Sequence, residues 1–250
     1  MTDTPPVLFV HGIRTSATMW RRQLVALGAA GHKAAAIDLP GHGARLGEEF
    51  TIDSALRIID DGVDALGGPV LLVGLSLGGY LSIEYAAQHP GKVTGLVAAS
   101  CCTSPRGPAL ASYRGLAAAI HALPDRGRGL NDFMVRCFVP EPGATDIGAG
   151  GVALDVMSSG LREAGTLDPL ARLAEYPGPV WLVNGQFDHF RAQERRFLAA
   201  CANGCLVIVP GATHLVSLVK PNEFTGVVCD ALGELSPGSA DGSPIVGANG

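Results

Sequence analysis

The chain has 250 residues, 47% of them hydrophobic and 16% charged, with a net charge of −5. That balance excludes a disordered chain, and the length suits one domain with a buried core. Mixed acids and bases exclude a general attraction for nucleic acid or an anionic membrane, and no run reaches the ~18 uninterrupted apolar residues of a membrane span.

The opening "MTDTPPVLFVHG" lacks the basic start and long apolar stretch of a signal peptide, so a cytoplasmic location is expected. Six cysteines (Cys101, Cys102, Cys137, Cys201, Cys205, Cys229) lack a secreted scaffold's density and are expected as reduced thiols. Cys201 and Cys205 lie four apart, but no second pair completes zinc spacing, and no metal site is expected.

Along the chain, short aliphatic runs at 7–10, 34–39, 69–75, 93–100, 179–185 and 205–211 read as strands. Their apolarity does not alternate, as in a parallel sheet covered on both faces. Helical patterns at 19–30, 52–66, 77–89, 190–202 and 221–234 fall between them. The alternation predicts an α/β fold, a doubly wound and mostly parallel sheet of about six strands. About eighty residues between Ser100 and Pro179 hold no convincing strand, only short helical patterns broken by Pro and Gly. The expected organisation is a core of 1–103 and 170–235, with a helical lid at 104–169 over the carboxyl ends of the strands. The Gly/Ser/Pro-rich end, 236–250, is expected to be disordered.

The stretch "LLVGLSLGGY" (71–80) is the one that carries chemistry. In a dinucleotide-binding turn the middle glycine of G-x-G-x-x-G lets pyrophosphate approach; here that place is Ser76. Gly74-Leu75-Ser76-Leu77-Gly78 fits G-x-S-x-G instead, a serine on a tight strand-to-helix turn whose neighbours two before and two after must be small. A serine nucleophile needs a base. Of the seven histidines (His11, His32, His42, His89, His121, His189, His214), His214 in "VIVPGATHL" lies just after the last predicted strand. The base needs a carboxylate to fix its tautomer. Asp188, in "WLVNGQFDHF", lies after the preceding strand, whereas Asp38 in "IDLPGHG" suits a turn cap. All three predicted residues end on one edge of the sheet, where open α/β sheets build their sites. Oxyanion donors are expected at the backbone N–H groups of Leu77 and of Ile13, with His11 as a structural brace of the loop after the first strand.

The segments "HGIRTSATMW", "DLPGHGAR", "GLSLGG", "NGQFDHF" and "GATHL", in this order over residues 7–233, resemble the α/β-hydrolase superfamily. The resemblance implies the same roles for Ser76, Asp188, His214, Ile13 and Leu77, and no metal or organic cofactor. It departs in one respect: many members begin with an antiparallel hairpin, for which His11 comes too early. The compact start and length look similar to small esterases and to the methylesterase and hydroxynitrile-lyase branch. The expected activity is hydrolysis of a small carboxylic ester, the expected partner being that small molecule. The alternatives are another reaction on the same triad (carbon–carbon bond hydrolysis, a lactonase, a perhydrolase, a lyase) or a non-catalytic ligand-binding use of the fold. Arg14, Phe133, Met134, Phe138 and Met157 are the candidate substrate-binding residues, Arg14 for a substrate carboxylate.

Overall fold

Each of the six aliphatic runs forms a strand in the computed structural model, which describes residues 4–236 apart from the side chains at 108–110 and 113. They are β1 (Val7–Val10), β2 (Ala34–Ile37), β3 (Val70–Leu75), β4 (Val93–Ala99), β5 (Pro179–Gly185) and β6 (Asn203–Val209). All pair in parallel, in the order β2-β1-β3-β4-β5-β6. Direction reverses at β1: β2 lies on one side of it and β3 on the other, so a crevice opens at the carboxyl ends of β1 and β3.

Alternate residues of each strand feed two separate cores, which is why both faces are apolar. Leu8, Val10, Leu72, Leu96 and Leu182 meet α2 (Ile52–Leu66) and α3 (Leu77–Gln88) on one side. Val7, Phe9, Leu71, Val73, Val97 and Val183 meet α1 (Arg21–Ala29) and α11 (Pro221–Glu234) on the other. Trp20, fully buried, joins that second core with its ring 4.8 Å from Phe9 and 5.8 Å from Phe224. The bounds of α2 match its sequence pattern because both ends are chemically marked. Thr51 and Ser54 form a capping box, and Gly67 closes the helix at φ 81°.

Other boundaries moved. The pattern at 19–30 divides into a 3-10 turn, Ala17–Trp20, capped by Ser16, and α1. The one at 190–202 shortens to α9 (Glu194–Ala200), because the Asp188 carboxylate caps a separate turn at His189–Arg191. β6 starts two residues early, as Asn203 pairs with Pro179, and stops at Val209 before Pro210, which has no N–H to donate.

The long insertion between β4 and β5 contains α4 (Pro108–His121), α5 (Arg128–Phe138), α6 (Gly143–Ala149) and α7 (Val156–Ala164). The next helix, α8 (Pro169–Glu175), packs on α3, where Arg172 Nε donates to Glu84 Oε1 at 3.0 Å. Nothing in "PEPGATDIGAG" announces α6; tertiary contact holds it. The Thr18 hydroxyl donates to the Asp146 carbonyl at 2.6 Å, and Arg21 lies 3.3 Å from the Asp146 carboxylate. The four-residue α10 (Val216–Val219) was likewise unmarked. Residues 237–250, where a disordered tail is expected, lie outside the described residues. No described helix is long and apolar enough to cross a membrane.

Candidate active site

β3 passes into α3 through Ser76 alone, and Ser76 adopts φ 56°, ψ −116°. That region is sparsely populated by residues with a side chain and persists only where surroundings impose it. Here the close approach of three elements imposes it. A Cβ on Gly74 would collide with the Gly78 carbonyl, and one on Gly78 with the carbonyls of Val10 and His11. Glycine at both places lets β1, β3 and α3 meet, and the serine is lifted to the carboxyl edge of the sheet.

The three candidate residues converge there. The Ser76 hydroxyl lies 3.0 Å from His214 Nε2, and His214 Nδ1 lies 3.0 Å from Asp188 Oδ1. An ionised carboxylate only accepts, so Nδ1 carries the proton and Nε2 is left to accept from Ser76. Asp188 has its side chain fully buried. Burial by itself pushes its carboxyl up; the hydrogen bond and charge of His214, with the Phe190 N–H at 2.8 Å, outweigh this and hold it below the usual carboxylate range. His189, adjacent in sequence, is no rival: its Nδ1 is 3.9 Å from the same oxygen and its side chain is 66% exposed. Its ring instead lies 5.1 Å from that of His214.

The loop after β1 is fixed from behind. Gly12's carbonyl accepts from His11 Nδ1 at 2.8 Å and from the Thr15 hydroxyl at 2.7 Å. In a trans peptide the carbonyl and the following N–H point in opposite directions, so this clamp turns the Ile13 N–H the other way. Ile13 and Leu77 both line the same cavity. Neither N–H has an acceptor among the described residues, and that of Leu77 heads α3. His11 Nε2 accepts the Leu39 N–H at 3.0 Å, and His42 Nε2 accepts the Arg14 N–H at 3.2 Å. The two imidazoles thus tie the loops after β1 and β2 together, with ring centroids 4.8 Å apart. The sequence leaves His42 as structural or solvated; the structure buries it completely. Asp38 is a turn cap, accepting from Ala17 N–H at 2.7 Å and Ala44 N–H at 2.9 Å.

Burial, joined by the His42 ring, lowers the His11 pKa to about 3. The unfolded ring titrates near 6.5, so below that value the unfolded state takes up a proton that the folded state refuses. Stability is therefore full above pH ~6.5 and is lost as pH falls toward 3. From this ring alone the unfolding free energy should fall by about 2 kcal/mol between pH 7 and pH 5. Urea unfolding at the two pH values measures it; a flat profile would mean that His11 titrates normally.

Above these groups lies a cavity of about 820 Å³. Arg14, Met134 and Phe138 line it, as the sequence suggests. Phe133 and Met157 do not: Phe133 sits on the outer side of α5, 55% exposed, and Met157 is buried away from the cavity. A run of apolar residues cannot show which way each turns. The sequence also missed wall residues from other elements, among them Tyr80 on α3, Ile147 on α6, Leu161 on α7, and Phe190 and Leu215 from the turns after β5 and β6.

Known proteins share much of this chain. Over 115 residues it is 37% identical to probable esterase PIR7A of Oryza sativa subsp. indica, which is 44% of this chain and 42% of that protein. It is 28% identical over 214 residues to epoxide hydrolase 2 of Siraitia grosvenorii, 77% of this chain and 62% of that one. The chain thus spans less than two thirds of the length of these relatives. An esterase from Thermogutta terrifontis, solved with malate bound, superposes with a TM-score of 0.76 at 22% identity, covering 94% of this chain and 92% of that one. A likeness at that identity speaks for the fold alone. The model of the alpha/beta hydrolase family matches residues 7–226, from the first residue of β1 into α11, and the chain belongs to that family.

Proposed function

We propose that the protein is a serine hydrolase that cleaves a small carboxylic ester through an acyl-enzyme intermediate. The single observation that carries this reading is the unbroken relay from Ser76 through His214 to Asp188, with both links at 3.0 Å, beneath a largely apolar cavity. The esterase-named relatives support it.

His214 Nε2 takes the Ser76 proton as Oγ attacks the ester carbonyl. Charge develops on the carbonyl oxygen, and the N–H groups of Ile13 and Leu77 receive it, each worth about 3 kcal/mol in comparable sites. The Asp188 carboxylate steadies the imidazolium. His214 returns the proton to the departing alcohol, then draws one from water, which releases the acid and restores Ser76. The helices α4–α7 act as the cover of the site, supported by the residues of α5, α6 and α7 in the cavity wall. A cytoplasmic location remains our reading, supported by six cysteines all present as free thiols.

A fluorophosphonate probe tests the nucleophile. One adduct is expected, on the peptide that contains Ser76, and preincubation with p-nitrophenyl acetate should slow it. A folded protein that takes up no probe, or takes it up elsewhere, would overturn the reading.

A further inference from the structure

β3 and β4 end alike. Ser76 follows the first and Ser100 the second, and both serines have a positive φ, 56° and 54°. Close packing around Gly74 and Gly78 accounts for Ser76. At Ser100 the backbone alone gives no reason for a serine. Glycine takes such a φ freely, whereas a Cβ there is pressed against the following carbonyl. Ser100 is fully buried, and its N–H donates to the Val183 carbonyl at 2.9 Å, which anchors the residue to β5. What serine adds over glycine in this place is one hydroxyl with a fixed direction.

That hydroxyl meets the Asp188 carboxylate. Against the upward push of burial, the Asp188 charge is held by His214, by the Phe190 N–H and by the Ser100 side chain. The first two use one oxygen: Oδ1 lies 3.0 Å from His214 Nδ1 and accepts from the Phe190 N–H at 2.8 Å. Oδ2 is enclosed and has no aligned donor among the described residues; the Ser100 hydroxyl is enclosed and has no aligned acceptor. Burying either group in that condition is unfavourable, and each is what the other lacks. Two other buried donors at this edge are engaged elsewhere. The Tyr80 hydroxyl donates to the Thr103 carbonyl, and the Asn184 amide donates to Glu194 at 3.2 Å. The contact of Ser100 with Asp188 is thus close but not yet aligned, a common condition of catalytic hydrogen bonds before the transition state tightens them.

We propose that Ser100 is a positioning residue of the relay, its hydroxyl closing on Asp188 Oδ2 as positive charge develops on His214. The carboxylate is then held at both oxygens, Oδ1 toward the imidazole and Oδ2 toward β4, and is kept from turning away from Nδ1. Ser100 touches no reacting atom and acts through Asp188. Its effect on turnover rests on the ester-hydrolase reading; its hold on the carboxylate does not.

Ser100→Ala and Ser100→Gly test the proposal together. Alanine removes the hydroxyl and keeps the strained backbone, whereas glycine removes both and should unfold at the higher temperature of the two. Each is expected to lower kcat on p-nitrophenyl acetate by about tenfold and to change KM by less than about twofold, because the hold acts on the imidazolium and not on the bound ester. In proton NMR the downfield Nδ1–H signal of His214, assigned by its loss in His214→Ala, should exchange with water faster in both variants than in the wild type. That signal needs no substrate, so a protein that hydrolyses no ester would sink the ester-hydrolase reading and still report on Ser100. A glycine variant that recovers wild-type kcat while the alanine variant does not would assign the loss to backbone strain and overturn the proposal. Wild-type kcat in both variants overturns it too, and so does an unchanged His214 signal.

Discussion

Ser76→Ala should leave the fold intact and lower kcat on p-nitrophenyl acetate by about 10⁴-fold or more. Alanine keeps the Cβ, so the packing of Gly74 and Gly78 that imposes the turn is untouched. What disappears is the one oxygen within 3.0 Å of His214 Nε2 that can attack a carbonyl. The Ile13 and Leu77 N–H groups remain and should support only a residual rate above water. Steady-state kinetics beside urea unfolding separate the two effects. A variant with a wild-type midpoint and a rate within tenfold of wild type would mean that another group attacks.

The second large effect is expected from Asp188→Asn, with kcat lower by about 10⁴-fold and KM little changed. The replacement is nearly isosteric, but the amide can donate a proton where the carboxylate only accepted. Facing an N–H donor, His214 Nδ1 becomes the acceptor, the ring proton moves to Nε2, and Ser76 loses its base. Asp38, the other acid the sequence offered, has both oxygens held by the N–H groups of Ala17 and Ala44. A variant that retains more than a tenth of wild-type kcat would place the orienting acid elsewhere.

The sheet was legible in the sequence because a strand buried on both faces must be apolar at every position, and Val7–Val10 or Val70–Leu75 allow little else. The relay was legible for a different reason. Ser76, Asp188 and His214 each follow a strand directly, and in a parallel sheet all strand ends of one polarity share an edge. Side-chain direction in the insertion was not legible. Phe133 and Phe138 look alike in a string and are equally exposed, yet only Phe138 also borders the cavity, a distinction set by where α5 rests. Helix α6 was hidden for a related reason: its glycines and prolines argue for a loop, and the contacts that overrule them, Thr18 and Arg21 to Asp146, come from residues over a hundred positions away. The buried role of His42 was likewise beyond reach, since its partner, the Arg14 amide, belongs to another loop.

The insertion leaves the sheet after β4 and rejoins it at β5, and these neighbours are zipped together with Ala99 opposite Val183. The sheet itself therefore holds the two ends of the inserted segment side by side, whatever lies between them. Lengthening or exchanging α4–α7 would cost little beyond slowly growing closure entropy. The fold thus divides inheritance in two: much of the cavity wall can be rewritten in one contiguous stretch, while Ser76, Asp188 and His214 stay fixed on either side.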